Sequence, residues 1–251
     1  MSTPVVLAWS GGKDSTLALE RLLDDARWRV MALVTTVTSG YDRIAIHGVR
    51  RSILRRQVDG LGLRLIEAEI PPQASNDVYE AAFADALVQA RDDDPNVDTI
   101  AFGDLYLADV RAYREALLAR LGWRGLFPLW GEDTTRLAHH FIARGYRAVL
   151  TCIDTQQLDA GFCGREFDAA LIADLPATTD PCGENGEFHT CVYAGPLWPQ
   201  PLTLVRGQRV RRDDRFEYID LIDADEIVDE PAPTQPDGAG GTSSSSGHSN
   251  R

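Results

Sequence analysis

The densest chemistry in the chain comes early, in Ser10-Gly11-Gly12-Lys13-Asp14-Ser15. An apolar run, Val5-Val6-Leu7-Ala8-Trp9, precedes it, and an amphipathic one, Thr16 to Leu23, follows. Strand, glycine turn and helix in that order aim backbone N–H groups and a helix N-terminus at one point, a natural seat for phosphate. Glycines let the backbone approach an anion closely. Lys13 adds a point charge, and Ser10 and Ser15 add hydroxyls. Lys13 is the only lysine in the chain; every other fixed cation is arginine.

Any strand-to-helix turn favours Gly, Ser and Asp, but the full string is more specific than that. It lacks the spacer and the Gly-Lys-Ser/Thr ending of a Walker A loop, and Gly-x-Gly-x-x-Gly is absent. Ser-Gly-Gly-x-Asp-Ser resembles the pyrophosphate loop of adenylating enzymes, which cleave ATP between the α- and β-phosphates.

A second polar stretch runs from Asp180 to Cys191 and places Glu184, Asn185, Glu187, His189 and Thr190 close together around Gly183 and Gly186. It has no apolar periodicity at its centre and leads into Cys191-Val192-Tyr193-Ala194, which reads as a strand. The bland reading is a surface turn. A dense polar loop on a rigid element is also where binding chemistry sits, and adjacent Glu and His can deprotonate an amine or order a metal. A third stretch, Gly103 to Glu115, carries Asp104, Asp109, Arg111 and Arg114. Arg111, Arg114 and Glu115 share one helix face. That face reads either as a solvated ion pair or as a binder of phosphate or carboxylate.

Strands and helices must bring these stretches together. Arg29–Val37, Leu63–Ile70 and Val97–Phe102 read as buried strands. Helices are expected at Val49–Gly60, Asn76–Arg91 and Val110–Leu121, the last capped by Asp109. This alternation predicts a parallel, doubly wound α/β sheet. Ligands bind such sheets at the strand carboxyl ends, where strand order reverses. Further on, Gly122–Gly131 reads as an aromatic connection, Thr134–Arg144 and Arg165–Asp174 as helices, and Ala148–Ile153 as a strand. Leu202–Arg212 and Phe216–Ile222 read as a hairpin turning at Asp213-Asp214. Adjacent His139 and His140 point ~100° apart on a helix and make poor joint metal ligands.

The 251 residues suit two small domains, expected at 1–125 and 126–229, with a disordered Pro/Gly/Ser-rich tail over 230–251. The net charge of −13 disfavours a nucleic-acid groove. Its acids concentrate late: ten fall between Asp213 and Asp237, against the single base Arg215. No apolar run reaches the ~20 residues of a membrane span, and the chain enters a strand at once, so a cytoplasmic location is expected. Cys152, Cys163, Cys182 and Cys191 form no Cys-x-x-Cys pair and read as buried thiols.

Taken together, Ser10–Ser15, Gly103–Glu115 and Gly183–Thr190 resemble the diphthine–ammonia ligase family of pyrophosphate-loop ATPases. Gly183-Glu184-Asn185-Gly186-Glu187-Phe188-His189-Thr190 matches its Gly-Glu-x-Gly-Glu-aromatic-x-Thr signature, and the likeness covers roughly residues 4–225. The arginine-rich composition, with Asn185 and His189, looks like the short bacterial branch. The resemblance implies an adenine nucleotide alpha hydrolase-like sheet of five strands in the order 3-2-1-4-5, with a smaller α+β C-terminal domain. It implies ATP on Ser10, Gly11, Gly12, Lys13, Asp14 and Ser15, with Gly103 and Asp104 across the switch point and Thr35 and His47 beside the adenine. Mg²⁺ would sit on Asp14. Lys13, Asp14, Glu184, Glu187 and His189 would be catalytic. Asp109, Arg111, Arg114, Glu184, Asn185, Glu187 and Thr190 would meet the acceptor. The implied reaction adenylates a small-molecule or protein-bound carboxylate and lets ammonia displace AMP to form an amide; a homodimer is common among such enzymes. Two other readings share the loop: a tRNA sulfur transferase, for which Cys182 and Cys191 speak, and a non-catalytic ATP-binding module.

Overall fold

The computed structural model describes residues 2–44 and 48–225. His47 and the predicted tail lie outside the described residues.

The first half is the expected parallel sheet. Strand β1 spans Thr3–Ala8, β2 Trp28–Thr38, β3 Arg43–Ile44, β4 Arg64–Ile70, β5 Thr99–Ala101 and β6 Arg124–Leu126. The parallel strands lie in the order β4-β2-β1-β5-β6, with short β3 antiparallel on the end of β2, on the edge opposite β4. Counting parallel strands alone, this is the order 3-2-1-4-5. The fifth strand comes from Arg124–Leu126, inside the stretch read as an aromatic connection; three residues are too few for a periodicity signal.

Helices cover both faces, and side-chain alternation shows how. Val5, Leu7, Leu33 and Val37 point into one core with Leu17 and Leu19 of α1 (Lys13–Asp24) and Ile53 and Leu54 of α2 (Arg51–Leu61). Val6, Ala32, Val34, Ile66 and Ile100 point into the other, against Phe83 and Leu87 of α3 (Asn76–Ala90) and Leu117 and Leu118 of α4 (Ala108–Leu121). Period-two exchange between two helical layers is why these strands read as continuous apolar runs.

The second half is a smaller α+β unit built on the α1–α2 face. Its strands are β7 (Arg147–Asp154), β8 (Phe188–Ala194), β9 (Leu204–Arg212) and β10 (Phe216–Asp223), antiparallel in the order β8-β7-β10-β9. Asp213 and Asp214 both have positive φ, +52° and +49°, and turn the predicted hairpin. Helix α5 covers Thr134–Ala143, capped by the Asp133 carboxylate. Leu137, Phe141, Val149, Phe188 and Val192 join the same core as β1 and α1, so the two halves share one apolar interior.

Three helix starts differ from expectation, the first being α2, which begins at Arg51 rather than Val49. Helix α6 begins at Ala169 rather than Arg165, because the Asp168 carboxylate accepts from the Leu171 amide at 2.8 Å while Glu166 bridges to Val149 in extended form. Helix α4 begins at Ala108 with Leu107 at its cap; Asp109 lies in the first turn, where a carboxylate favours the helix dipole without capping it.

Candidate active site

The loop after β1 turns at Gly11, whose φ of +74° lies in the left-handed region that suits glycine. Gly12 is the N-cap of α1 and Lys13 its first residue. Inside the loop, the Ser10 and Ser15 hydroxyls lie 3.2 Å apart and the Gly12 amide donates to Ser10 Oγ at 3.3 Å. Ser15 Oγ and Thr16 Oγ1 both donate to the Gly12 carbonyl at 2.9 Å. Gly11, Gly12, Lys13 and Ser15 are buried, whereas Ser10 and Asp14 are half-buried and form the open side. The amides of Asp14 and Ser15 follow at the head of α1, where no earlier turn supplies acceptors. This donor set fits a phosphate chain.

The C-terminal half closes over the loop. The Lys13 amide donates to Thr190 Oγ1 at 3.0 Å, and the Val192 amide donates to the Gly11 carbonyl at 2.9 Å. Lys13 Nζ donates to both Asp14 carboxylate oxygens, at 2.8 and 2.9 Å, and to the Cys182 carbonyl. The rings of Phe167 and Phe188 lie 5.8 and 5.6 Å from Nζ. Burial works against this ammonium, but the charge and hydrogen bonds of Asp14, with the charge of Glu184, outweigh it and hold its pKa above the usual lysine value. Lys13 therefore stays a cation while only 2% exposed.

Around Lys13 the signature forms a self-bonded turn. Asp180 Oδ1 accepts from the amides of Cys182 and Glu184, at 2.8 and 3.3 Å, and Oδ2 from Thr134 Oγ1 at 2.7 Å. Glu187 is 2% exposed, and its Oε1 accepts from the Asp180 amide and Asn185 Nδ2 at 2.9 and 3.0 Å. It holds the turn in shape. Glu184 reaches outward instead: Oε1 accepts from the amides of Leu105 and Tyr106 at 2.7 and 3.3 Å, just past β5. Burial pushes its pKa up, the two amides pull it down, and Asp14 raises it again; the net is a carboxyl that takes a proton more readily than usual. Asn185 Oδ1 accepts from the Tyr106 hydroxyl at 3.1 Å. His189 is half-buried on β8, its carbonyl accepting from Thr151 Oγ1 at 3.3 Å.

Gly103 confirms the expected meeting across the switch point. A Cβ there would sit 2.8 Å from the Asp14 carbonyl carbon and 3.0 Å from the Ser15 amide nitrogen. Asp104 is paired with Arg114: both its oxygens accept from that guanidinium, at 2.7 and 3.3 Å, and the guanidinium lies 4.3 Å from the Phe102 ring centroid. Arg111 pairs with Glu115 at 2.8 Å and sits over both Phe127 and Trp130, at 4.6 and 4.7 Å. Asp109 is exposed. Thr35 is only 3% exposed, so its hydroxyl lies beneath the surface. The open concavity at this end of β2 lies slightly beyond it, lined by Thr38, Tyr41, Arg43, Gly48, Arg212 and Tyr218.

Sequence reasoning missed Gln57 of α2. It is wholly buried and donates to the carbonyls of Gly11 and Val192 at 3.0 and 2.5 Å. One signal was available: a Gln at an apolar position of an amphipathic helix, between Leu54 and Val58. Among the described residues no group of three or more His, Cys, Asp or Glu side chains could hold a metal. Asp14 alone with a phosphate chain still suits Mg²⁺, which takes one or two carboxylates and fills the rest with phosphate and water. All four thiols are buried and unpaired, and burial pushes them up, Cys152 to about 11 and Cys163, Cys182 and Cys191 to about 12. No described helix is long and apolar enough to cross a membrane.

The doubly wound sheet, with its loop at the carboxyl end of β1 and an α+β unit closed over that loop, defines an adenine nucleotide alpha hydrolase-like protein. Models of the diphthamide synthase N-terminal and C-terminal domains match residues 3–125 and 133–223. The chain belongs to the diphthamide synthase family. It is 24% identical over 211 residues to the diphthine–ammonia ligase of Schizosaccharomyces pombe, an alignment covering 78% of this chain and 35% of that protein. The chain thus spans about a third of the length of that relative.

Proposed function

We propose that the protein is an AMP-forming ligase that activates a carboxylate with ATP and converts it to an amide with ammonia. The observation that carries this reading is the physical union of the two motifs. The loop that suits a phosphate chain is fastened through Lys13 to Thr190 and Cys182, in the stretch that bears Glu184. A module that only bound nucleotide would have no need of a half-buried, proton-accepting carboxyl beside its loop.

A carboxylate is a poor electrophile, and adenylation supplies the leaving group. The amides at the head of α1 and the hydroxyls of Ser10 and Ser15 bind and orient the β- and γ-phosphates, and the fixed Lys13 cation faces the charge that develops on pyrophosphate. Mg²⁺ on Asp14 neutralises phosphate charge when bound. Glu184, poised to take a proton, removes one from the attacking nitrogen. Arg111 and Arg114, on α4 after the Gly103 switch point, are each paired with a carboxylate, Glu115 and Asp104, and would hold an anionic acceptor by exchanging that partner for it. Ammonia as the nucleophile and a bacterial-type small carboxylic acid as the acceptor rest on the family resemblance. Four protonated, sealed thiols speak against the sulfur-transfer alternative.

The test is pyrophosphate exchange. With ATP, Mg²⁺ and a panel of small carboxylic acids, and ammonia withheld, labelled pyrophosphate should enter ATP only when a competent acid is present. Exchange of labelled phosphate, with ADP formed instead, would overturn the adenylation step.

A further inference from the structure

Gln57 is the buried polar side chain next to the loop that the reaction outlined above does not use. It projects from α2 between Gly11 and β8 and is 0% exposed. Nε2 spends both protons on carbonyls, Gly11 O at 3.0 Å and Val192 O at 2.5 Å. Oε1 is then sealed in the core, without a partner among the described residues, and lies 2.4 Å from where a Gly11 Cβ would be. Rotating the amide by 180° would set its oxygen against two carbonyl oxygens, so the orientation follows from the network itself. A buried amide held with its oxygen unpaired is unfavourable by itself. The two carbonyls it joins explain its presence, because no apolar side chain could meet both.

The backbone around it is arranged for this contact. The Gly11 carbonyl accepts from both the Val192 amide, at 2.9 Å, and Gln57. Trp198 Nε1 donates to the Gln57 carbonyl at 2.8 Å and packs where a Cβ on Gly60 would lie within 2.8 Å of its ring. That indole, from the chain beyond β8, fixes α2 in register with the C-terminal half. Gly11 therefore has to be glycine for two reasons, its positive φ and the amide pressed against it.

We infer that Gln57 is a positioning residue for nucleotide binding: it sets the peptide at Gly11, and with it the direction of the amides that follow, relative to strand β8 of the signature. The inference rests on the reading that this loop binds ATP. Gln57→Leu removes both donors at similar volume. Gln57→Glu places a carboxylate against two carbonyls, and on protonation recovers a single O–H donor. Ile53→Ala, one turn earlier on the same buried face of α2 and without a polar group to offer the loop, serves as the packing control.

The measurement is the ATP dissociation constant with Mg²⁺ by calorimetry, each variant held well below its own melting temperature. Gln57→Leu should bind ATP about tenfold or more weakly. Ile53→Ala, although less stable, should stay within about twofold of wild type. Gln57→Glu should be weak near neutral pH and recover towards wild type as pH falls and the new carboxyl protonates, a dependence that a general loss of packing would not produce. ATP affinity unchanged in Gln57→Leu, or equally weakened in Ile53→Ala, would overturn the role. If Gln57→Leu does not fold, the pH dependence of Gln57→Glu decides alone, and a flat profile counts against it. A wild-type protein that binds no ATP would overturn the nucleotide reading and this role with it, and that failure appears before any variant is compared.

Discussion

The backbone N–H of Lys13 donates to the hydroxyl of Thr190 across 177 positions of sequence, at 3.0 Å. Lys13 opens α1 in the parallel half, and Thr190 lies on β8 in the antiparallel half. The first amide of a helix has no intrahelical acceptor; here a side chain from the other half supplies one, in place of the usual N-cap. The Ser10–Ser15 loop is therefore completed only when the second half has docked.

Replacing Thr190 by Val keeps shape and removes the acceptor. The buried Lys13 amide is then unpaired, which costs about 1–3 kcal/mol. Denaturant unfolding should show that loss, and ATP affinity should fall with it, while Thr190→Ser should keep both near wild type. A Val variant as stable as wild type would mean that the bond contributes nothing to the junction.

Gly103 tests the contact across the switch point. In Gly103→Ala the new methyl would meet the Asp14 carbonyl carbon at 2.8 Å and its oxygen at 2.9 Å, and backbone atoms yield poorly. Overpacking of this kind costs about 1–3 kcal/mol. The head of α1 has to move, so ATP affinity should drop more than the stability loss alone accounts for. Calorimetric titration beside thermal unfolding separates the two effects.

Glu184 and Glu187 should part company. Glu184→Gln keeps an acceptor for the Leu105 amide but cannot take a proton; ATP affinity should stay within about twofold while amide formation falls on the order of 100-fold. Glu187→Ala unfastens the turn from Asp180 and Asn185, so its first effect should be on the order of the loop, read by protease susceptibility. Equal loss of ATP affinity from Glu184→Gln would place that carboxyl in the nucleotide site.

Asp154 gives a prediction in acid. Its carboxylate is 1% exposed, accepts twice from Arg215, at 3.0 and 2.6 Å, and accepts from Gln157 Nε2 at 2.9 Å. Hydrogen bonding to Arg215 holds its pKa at about 2. A carboxyl depressed in the folded state gives stability that is complete above its unfolded pKa of about 3.9 and is lost as pH falls through about 2. The contribution is about 1–2 kcal/mol, reduced by the partial exposure of Arg215. Asp154→Asn should flatten the decline of stability below pH ~4 in acid unfolding followed by circular dichroism. A mutant with the wild-type slope would place the acid-sensitive groups elsewhere.

Much of this architecture was legible because its signals are local. Buried parallel strands read as apolar runs, and Ser10–Ser15 and Gly183–Thr190 are contiguous strings. The order 3-2-1-4-5 then brought Gly103 to the loop. Strand β6 was not legible, being three residues without periodicity. Nor was Asp104's turn towards Arg114, since i,i+3 and i,i+4 spacing paired Arg114 with its own helix face and could not show a partner ten residues back. Gln57 and the Lys13–Thr190 bond depend on how the two halves dock, and no local pattern records that. Lys13, expected to face phosphate, has its Nζ on the Cys182 carbonyl and pins that turn.

The most direct test of the ligase reading is the fate of α-labelled ATP. Incubated with the protein, Mg²⁺, ammonia and a competent carboxylic acid, the label should appear in AMP, in equal amount to the amide formed, and Lys13→Ala should abolish its appearance. Label appearing in ADP, or remaining in ATP that is bound and never turned over, would contradict the account.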